Sequence, residues 1–228
     1  MSLGALSVAA LGACSGRETP QAGKDQTPGG SEPTKGGGEP IPGSGDSELQ
    51  ERSFKTELDK NRTMPRDLVN KMLDQKVDEY MQRSHHCAQS AFMALKEQFG
   101  LDGEQVFRAL TPLPGIAERG ETCGAVTGPL MALGLIYGRD IQQMEDWDRY
   151  QASLTPAGNF CDQFEQEFGT TLCHKVQESE FGRCYRLTDP EELQDFQNAG
   201  ATEKCSAVVR SAVRMAAGVI LEDDGLGG

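Results

Sequence analysis

From Met64 onward the apolar residues recur at intervals of three and four, and no stretch alternates apolar with polar over the length of a strand. A helix brings residues 3.6 apart onto one face and a strand brings every second residue there, so the spacing selects helices. Leu68, Met72, Val77 and Tyr80 follow Pro65, which suits a first helical turn; Ala88, Phe92 and Leu95 repeat until Gly100 ends the run. Residues 106–110 read as a short helix broken by Pro112 and Pro114, and residues 123–137 as a longer one stopped by Gly138. Phe160, Phe164 and Phe168 form an i, i+4 stripe closing at Gly169, and residues 207–221 are apolar enough to be buried. With no Asn-Gly or Asp-Gly hairpin turn between strand-like runs, the expected fold is all-α, a single helical bundle.

The bundle does not use the whole chain. Of the 228 residues, roughly the first sixty are too poor in apolar side chains to bury a core. The folded part is expected over 64–223, about 160 residues, enough for one core without disulfides. A net charge of −13 excludes the usual nucleic-acid partner, whose phosphates call for lysine and arginine. A 6% aromatic content with the single Trp147 offers no base-stacking platform either.

Residues 3–13 are apolar and small and end in Leu11-Gly12-Ala13-Cys14, the pattern of a lipoprotein signal whose cysteine is lipidated. The run is too short to span a bilayer. Residues 1–14 are therefore expected to be a signal segment with Cys14 as the lipidation site. No basic region precedes the run, so further residues, such as a twin-arginine pair, are expected upstream. Residues 15–60 read as a flexible linker rich in glycine, proline and serine. The expectation is a domain held at a membrane surface by a lipid anchor in a bacterial cell envelope.

The chemistry lies in the cysteines. Residues 121–128 read Glu-Thr-Cys-Gly-Ala-Val-Thr-Gly, a thiol at the mouth of a helix in surroundings cleared of bulk. With Thr122 as the expected N-cap, Cys123 would meet the unpaired amides of the first turn, which stabilise negative sulfur and lower its pKa. The bland alternative is an ordinary small hydrophobe at a close helix contact. Each of the three histidines adjoins a cysteine: His85 and His86 precede Cys87, and His174 follows Cys173. Imidazole and thiolate are preferred ligands of zinc, copper and iron–sulfur centres. Neighbours on a helix nevertheless point about 100° apart, which favours tuning over joint ligation. The absence of Cys-x-x-Cys disfavours thioredoxin-type pairs, zinc ribbons and c-type haem attachment. Cys87, Cys123, Cys173 and Cys205 are all expected near helix starts, so that several positive helix ends converge on one anionic site.

Cys87-Ala88-Gln89-Ser90, then Cys123-Gly124-Ala125-Val126-Thr127-Gly128, Phe168-Gly169 before Cys173, and a late Cys205 resemble the redox-active family named for its cysteines, C-GCAxxG-C-C. The resemblance spans about 64–221. It implies an all-α domain whose four family cysteines correspond to Cys87, Cys123, Cys173 and Cys205. The family is also similar to the non-haem iron–sulfur domain of split-Soret cytochromes, whose haem-attachment motifs are absent here, so cytochrome function is not carried over. The export-like terminus, the linker, the segment 112–118 where glycine-rich sequence is usual, and the extra Cys161 and Cys184 depart from the family pattern.

Three readings compete. In the first, Cys87, Cys123, Cys173 and Cys205 ligate a metal centre, an iron–sulfur cluster of the [2Fe–2S] kind, that passes electrons to a redox partner protein. In the second, Cys123 is the attacking thiolate of a thiol–disulfide oxidoreductase, and another family cysteine such as Cys87 resolves it. In the third, the cysteines staple a non-catalytic binding domain. In a hybrid, Cys161 and Cys184, outside the family pattern, form a structural disulfide while the other four remain available to a cofactor. A hydrolytic pairing of Cys87 with His86, or Cys173 with His174, is disfavoured because sequence neighbours rarely orient as nucleophile and base.

Overall fold

The computed structural model describes residues 44–227, side chains from Leu49 to Leu226. The signal-like run, Cys14 and the linker as far as residue 43 lie outside the described residues. The helices are α1 (Ser44–Thr63), α2 (Arg66–Ser84), α3 (Cys87–Phe99), α4 (Glu104–Ala109), the single turn α5 (Gly115–Glu118), α6 (Gly124–Tyr137), α7 (Trp147–Phe168), α8 (Cys173–Phe181), α9 (Pro190–Asn198) and α10 (Ala201–Leu221). Among the described residues no β-strand forms, only an isolated antiparallel bridge between Thr122 and Leu172. The all-α expectation holds.

Helix α3 runs through the centre. Its Ala88, Ala91, Phe92, Ala94, Leu95 and Phe99 are all fully buried, and α2, α6, α10 and α1 pack around it. Burial on every side requires small residues where helices cross and large ones between crossings, and the alternation of alanine with Phe92, Leu95 and Phe99 supplies both. Helix α10 closes the opposite side through Val209, Ala212, Val213, Ala216 and Ile220. Its exposed edge is tied to α2 by the ion pairs Arg210–Asp78 and Arg214–Asp74.

Two expectations need correction here. The linker does not extend to residue 60, because α1 occupies 44–63 and docks on the bundle: Leu58 is 0% exposed and Asn61 1%. Asn61 donates from Nδ2 to the Gln98 carbonyl at 2.8 Å, and Gln98 returns a bond from Nε2 to Asn61 Oδ1. Charged residues on the outer face of α1 dilute its few apolar contacts, which hid the helix in the composition. The buried face of α2 is Val69, Leu73, Val77 and Met81, leaving Leu68 45% exposed. The helical period holds and Val77 lies on the expected face, while the other three buried positions fall one residue after those expected.

Candidate functional site

The sulfurs are brought together by two devices. The first is a close helix crossing. A Cβ on Gly124 would lie 2.2 Å from the Cys87 sulfur and 2.8 Å from the Ala88 nitrogen; one on Gly128 would lie 2.3 Å from the Ala88 carbonyl oxygen. Only glycine lets α6 approach α3 this closely, and the approach sets Cys123 beside Cys87. The second device is the bridge at Thr122 and Leu172. Cys123 N–H donates to the Thr171 carbonyl at 2.8 Å, and Cys173 N–H donates to the Glu121 carbonyl at 2.7 Å. Cys123 and Cys173 each follow a bridged residue, so both side chains point to the same face of this short ladder.

The result is one cavity of about 360 Å³. Cys87, Cys123, Cys173 and Cys205 all line it, from α3, the cap of α6, α8 and α10 respectively. All four carry free thiols. The four family cysteines therefore share a site, although not all in the expected way. Cys123 is itself the N-cap of α6, where Thr122 was expected, and its side chain makes no capping bond. Cys87 and Cys173 each open a helix, whereas Cys205 sits a full turn inside α10 behind the cap Gly200.

Burial decides the charge of most of these thiols. Desolvation pushes Cys87 up to about 12, with the neighbouring Cys173 adding to the rise; the amides of Ala88 and Gly124 pull the other way and lose. Cys205 is raised chiefly by burial. Cys123, 7% exposed, is raised well above an ordinary thiol, first because it donates its hydrogen to Cys173 and then because it is buried. The expectation that the helix mouth lowers the Cys123 pKa is overturned: the amides act in the expected direction, and burial outweighs them. Cys173 takes the opposite direction. It is lowered by the hydrogen bond from Cys123 and by a second from Gln177, against burial and the nearby Glu118 carboxylate.

Gln177 is the residue the sequence reading missed. It is 3% exposed; its Oε1 accepts from Tyr185 N–H at 2.7 Å, which turns Nε2 toward the Cys173 sulfur at 3.5 Å. Its place four residues after Cys173 on one helix was the available signal, since i and i+4 share a face.

The histidines hold the scaffold. His86 Nδ1 accepts from Gln89 N–H at 3.1 Å, capping α3, and its Nε2 faces the Thr111 carbonyl at 3.1 Å, so Nε2 carries the proton. His174 Nδ1 donates to the Gly120 carbonyl at 2.6 Å, reinforcing the bridge. His85 Nδ1 bonds Thr202 Oγ1 at 2.9 Å. No group of three or more His, Cys, Asp or Glu side chains among the described residues stands close enough to hold a metal ion. The donor chemistry of four thiols suits a cluster, and their spacing as it stands does not gather around one. The Cys161–Cys184 bridge does not form, because Cys161, on α7, carries a free thiol raised by burial. It packs against the core and is absent from the cavity lining.

Residues 85–219 match the family model described as "Putative redox-active protein (C_GCAxxG_C_C)". Neither the curated proteins nor the solved structures gave a match.

Proposed function

The chain belongs to the C_GCAxxG_C_C family of redox-active proteins, and from that premise we propose that it carries out two-electron thiol–disulfide exchange with Cys173 as the attacking sulfur and Cys123 as its resolving partner. The observation that carries this reading is that the Thr122–Leu172 bridge turns Cys123 and Cys173 to one face of the same cavity, with Gln177 aimed at the second sulfur. A buried thiol donating to a neighbouring sulfur stabilises that neighbour as thiolate, the nucleophilic form. The Cys173 thiolate attacks one sulfur of a disulfide RSSR, forming a Cys173–SR bond and releasing RS⁻. Cys123 then attacks the Cys173 sulfur as its proton passes to the departing sulfur, forming the Cys123–Cys173 disulfide and releasing the second half of the substrate as RSH. The two thiols lose two electrons and the substrate disulfide gains them.

A second reading is favoured by one observation, that all four family cysteines line the same cavity. Cys87, Cys123, Cys173 and Cys205 would hold an iron–sulfur cluster, [2Fe–2S] in the simplest case, and the cluster would supply one-electron transfer to a redox partner protein. Protein purified without oxygen separates the two. The exchange reading expects a colourless protein whose Cys173 is alkylated first, and in which Cys123→Ser leaves a mixed disulfide trapped on Cys173. Stoichiometric iron and sulfide, with visible absorbance bleached by dithionite, would overturn it in favour of the cluster. We also propose that the domain is tethered to a membrane in the cell envelope; the apolar run before Cys14 supports this, and labelling by a radioactive fatty acid, abolished in Cys14→Ser, tests it.

A further inference from the structure

The cavity extends well beyond the sulfurs, and its second wall is of a different kind. Besides the thiols it is lined by Phe181 at the end of α8, Leu193 and Phe196 on α9, and Val208 on α10. The Phe181 and Phe196 rings lie 5.0 Å apart, and Tyr185 packs on both at 5.8 and 5.3 Å. Aromatic faces held in this way make a preformed platform for a flat apolar group. At about 360 Å³ the space is at the small end of small-molecule sites, which run to roughly 1,000 Å³. Among the described residues, no lysine or arginine lines it, and the carboxylate residues that do are Glu118 and Glu180. The whole chain carries −13.

A bridge between two structural cysteines needs no such chamber, and an anionic peptide disulfide would find no lysine or arginine in the lining: the near cation, Lys204, lies over the Phe181 ring at 4.6 Å with its ammonium donating to the Glu180 carbonyl. Transferring a carboxylate into such a lining without a partner is costly, whereas an apolar ring gains by leaving water. We propose that the cavity binds a small, uncharged organic disulfide with an apolar or aromatic body, seated against Phe181 and Phe196 with its S–S bond facing Cys173. This rests on the exchange reading above and names its substrate class. Reaction follows the same balance: the bound disulfide is the oxidant, it leaves as one thiolate and one thiol, and the protein retains the Cys123–Cys173 disulfide.

The test uses the full chain, reduced beforehand and freed of reductant, mixed separately with neutral dipyridyl disulfide, cationic cystamine and anionic glutathione disulfide. Each rate is divided by that of the same disulfide with a free small thiol, which removes intrinsic reactivity. The expected result is a corrected rate at least tenfold higher for the neutral aromatic disulfide than for anionic glutathione disulfide, and at least threefold higher than for cystamine, which the lining carboxylates attract but which brings no ring to the Phe181–Phe196 platform. Phe181→Ala should cut that ratio at least threefold. Leu193→Asp, on the half-buried wall of α9, should do the same and serves where the first variant does not fold. Equal corrected rates for the three, or a ratio indifferent to both variants, would overturn the substrate class and leave the exchange reading intact. Failure to reduce any of them, in protein whose thiols all titrate as free, would overturn the exchange reading itself.

Discussion

The sulfur site has two unlike supports. Cys87 and Cys123 stand on the α3–α6 crossing, where backbone meets backbone and Ala88, Ala91 and Ala125 are fully buried. Cys173 stands on a wall made of the Thr122–Leu172 bridge, the short α8 and the turn α5, held by hydrogen bonds more than by packing. In α5 the non-glycine residues Ile116, Ala117 and Glu118 all have positive φ, at 48°, 57° and 59°. Close packing admits one arrangement and leaves its thiols protonated by burial. The hydrogen-bonded wall leaves a sulfur that is partly open and lowered in pKa. The thiol that is lowered in pKa belongs to the support that is less tightly packed.

The largest effect that could break this comparison lies at the crossing. A methyl on Gly128 would stand 2.3 Å from a backbone oxygen and 2.9 Å from Ala91 Cβ, contacts that no side-chain rotation relieves. Gly128→Ala is expected to destabilise the fold by about 3 kcal/mol, the upper part of the usual overpacking range. On the same helix a Cβ at Gly134 meets nothing within 4 Å, so Gly134→Ala should stabilise by about 0.5–1 kcal/mol through helix propensity. Urea midpoints measure both. Similar effects at the two positions would mean that the crossing is not the rigid support described.

A smaller effect sharpens the other side. Gln177→Leu keeps the volume and removes the donor to Cys173, and a hydrogen bond to a charged group contributes about 1.5 kcal/mol or more. The thiolate fraction of Cys173 at neutral pH should fall on the order of tenfold. Because the native pKa is lowered, the native alkylation rate levels off at a lower pH than that of an ordinary thiol; in the variant the profile should move to higher pH. Mass mapping of iodoacetamide adducts against pH measures it. An unmoved profile would assign Gln177 to holding Tyr185 alone.

The two supports also differ in how far the sequence revealed them. The crossing was legible, because Gly124, Ala125 and Gly128 announce a close approach and the apolar spacing of α3 and α6 announces helices. The bridged wall was not. Nothing local in Thr122 or Leu172 signals a pairing across fifty residues, and it is that pairing which orients Cys173 toward Cys123. The resemblance supplied the four cysteines, and all four line one cavity. It could not supply which of them ionises, since that follows from burial and from Gln177, neither of which has a one-dimensional signature. Helix α1 escaped for a related reason: its stability comes from Leu58 and the Asn61–Gln98 amide pair, long-range contacts rather than propensity.

The smallest effect probes whether the turn α5 is strained. The side chain of Ala117 is exposed, and at φ 57°, ψ 39° an L residue costs roughly 1–2 kcal/mol relative to the right-handed region. Ala117→Gly removes that cost and adds about 0.5–1 kcal/mol of unfolded-chain entropy to be overcome. The balance is a gain of about 0.5–1 kcal/mol, or a rise in Tm of about 2 °C for a domain of this size. The reverse change, Gly115→Ala, puts a Cβ 3.2 Å from the Gly120 nitrogen at φ 53°, and should lower Tm by a similar amount or more. Opposite signs at two positions in one turn would locate the stored strain beside Cys173, where Gly115 lies within 3.6 Å of the Cys173 Cβ by the same construction. A loss of stability in Ala117→Gly would mean that the turn is relaxed, and the contrast between the two supports would then reduce to packing density alone.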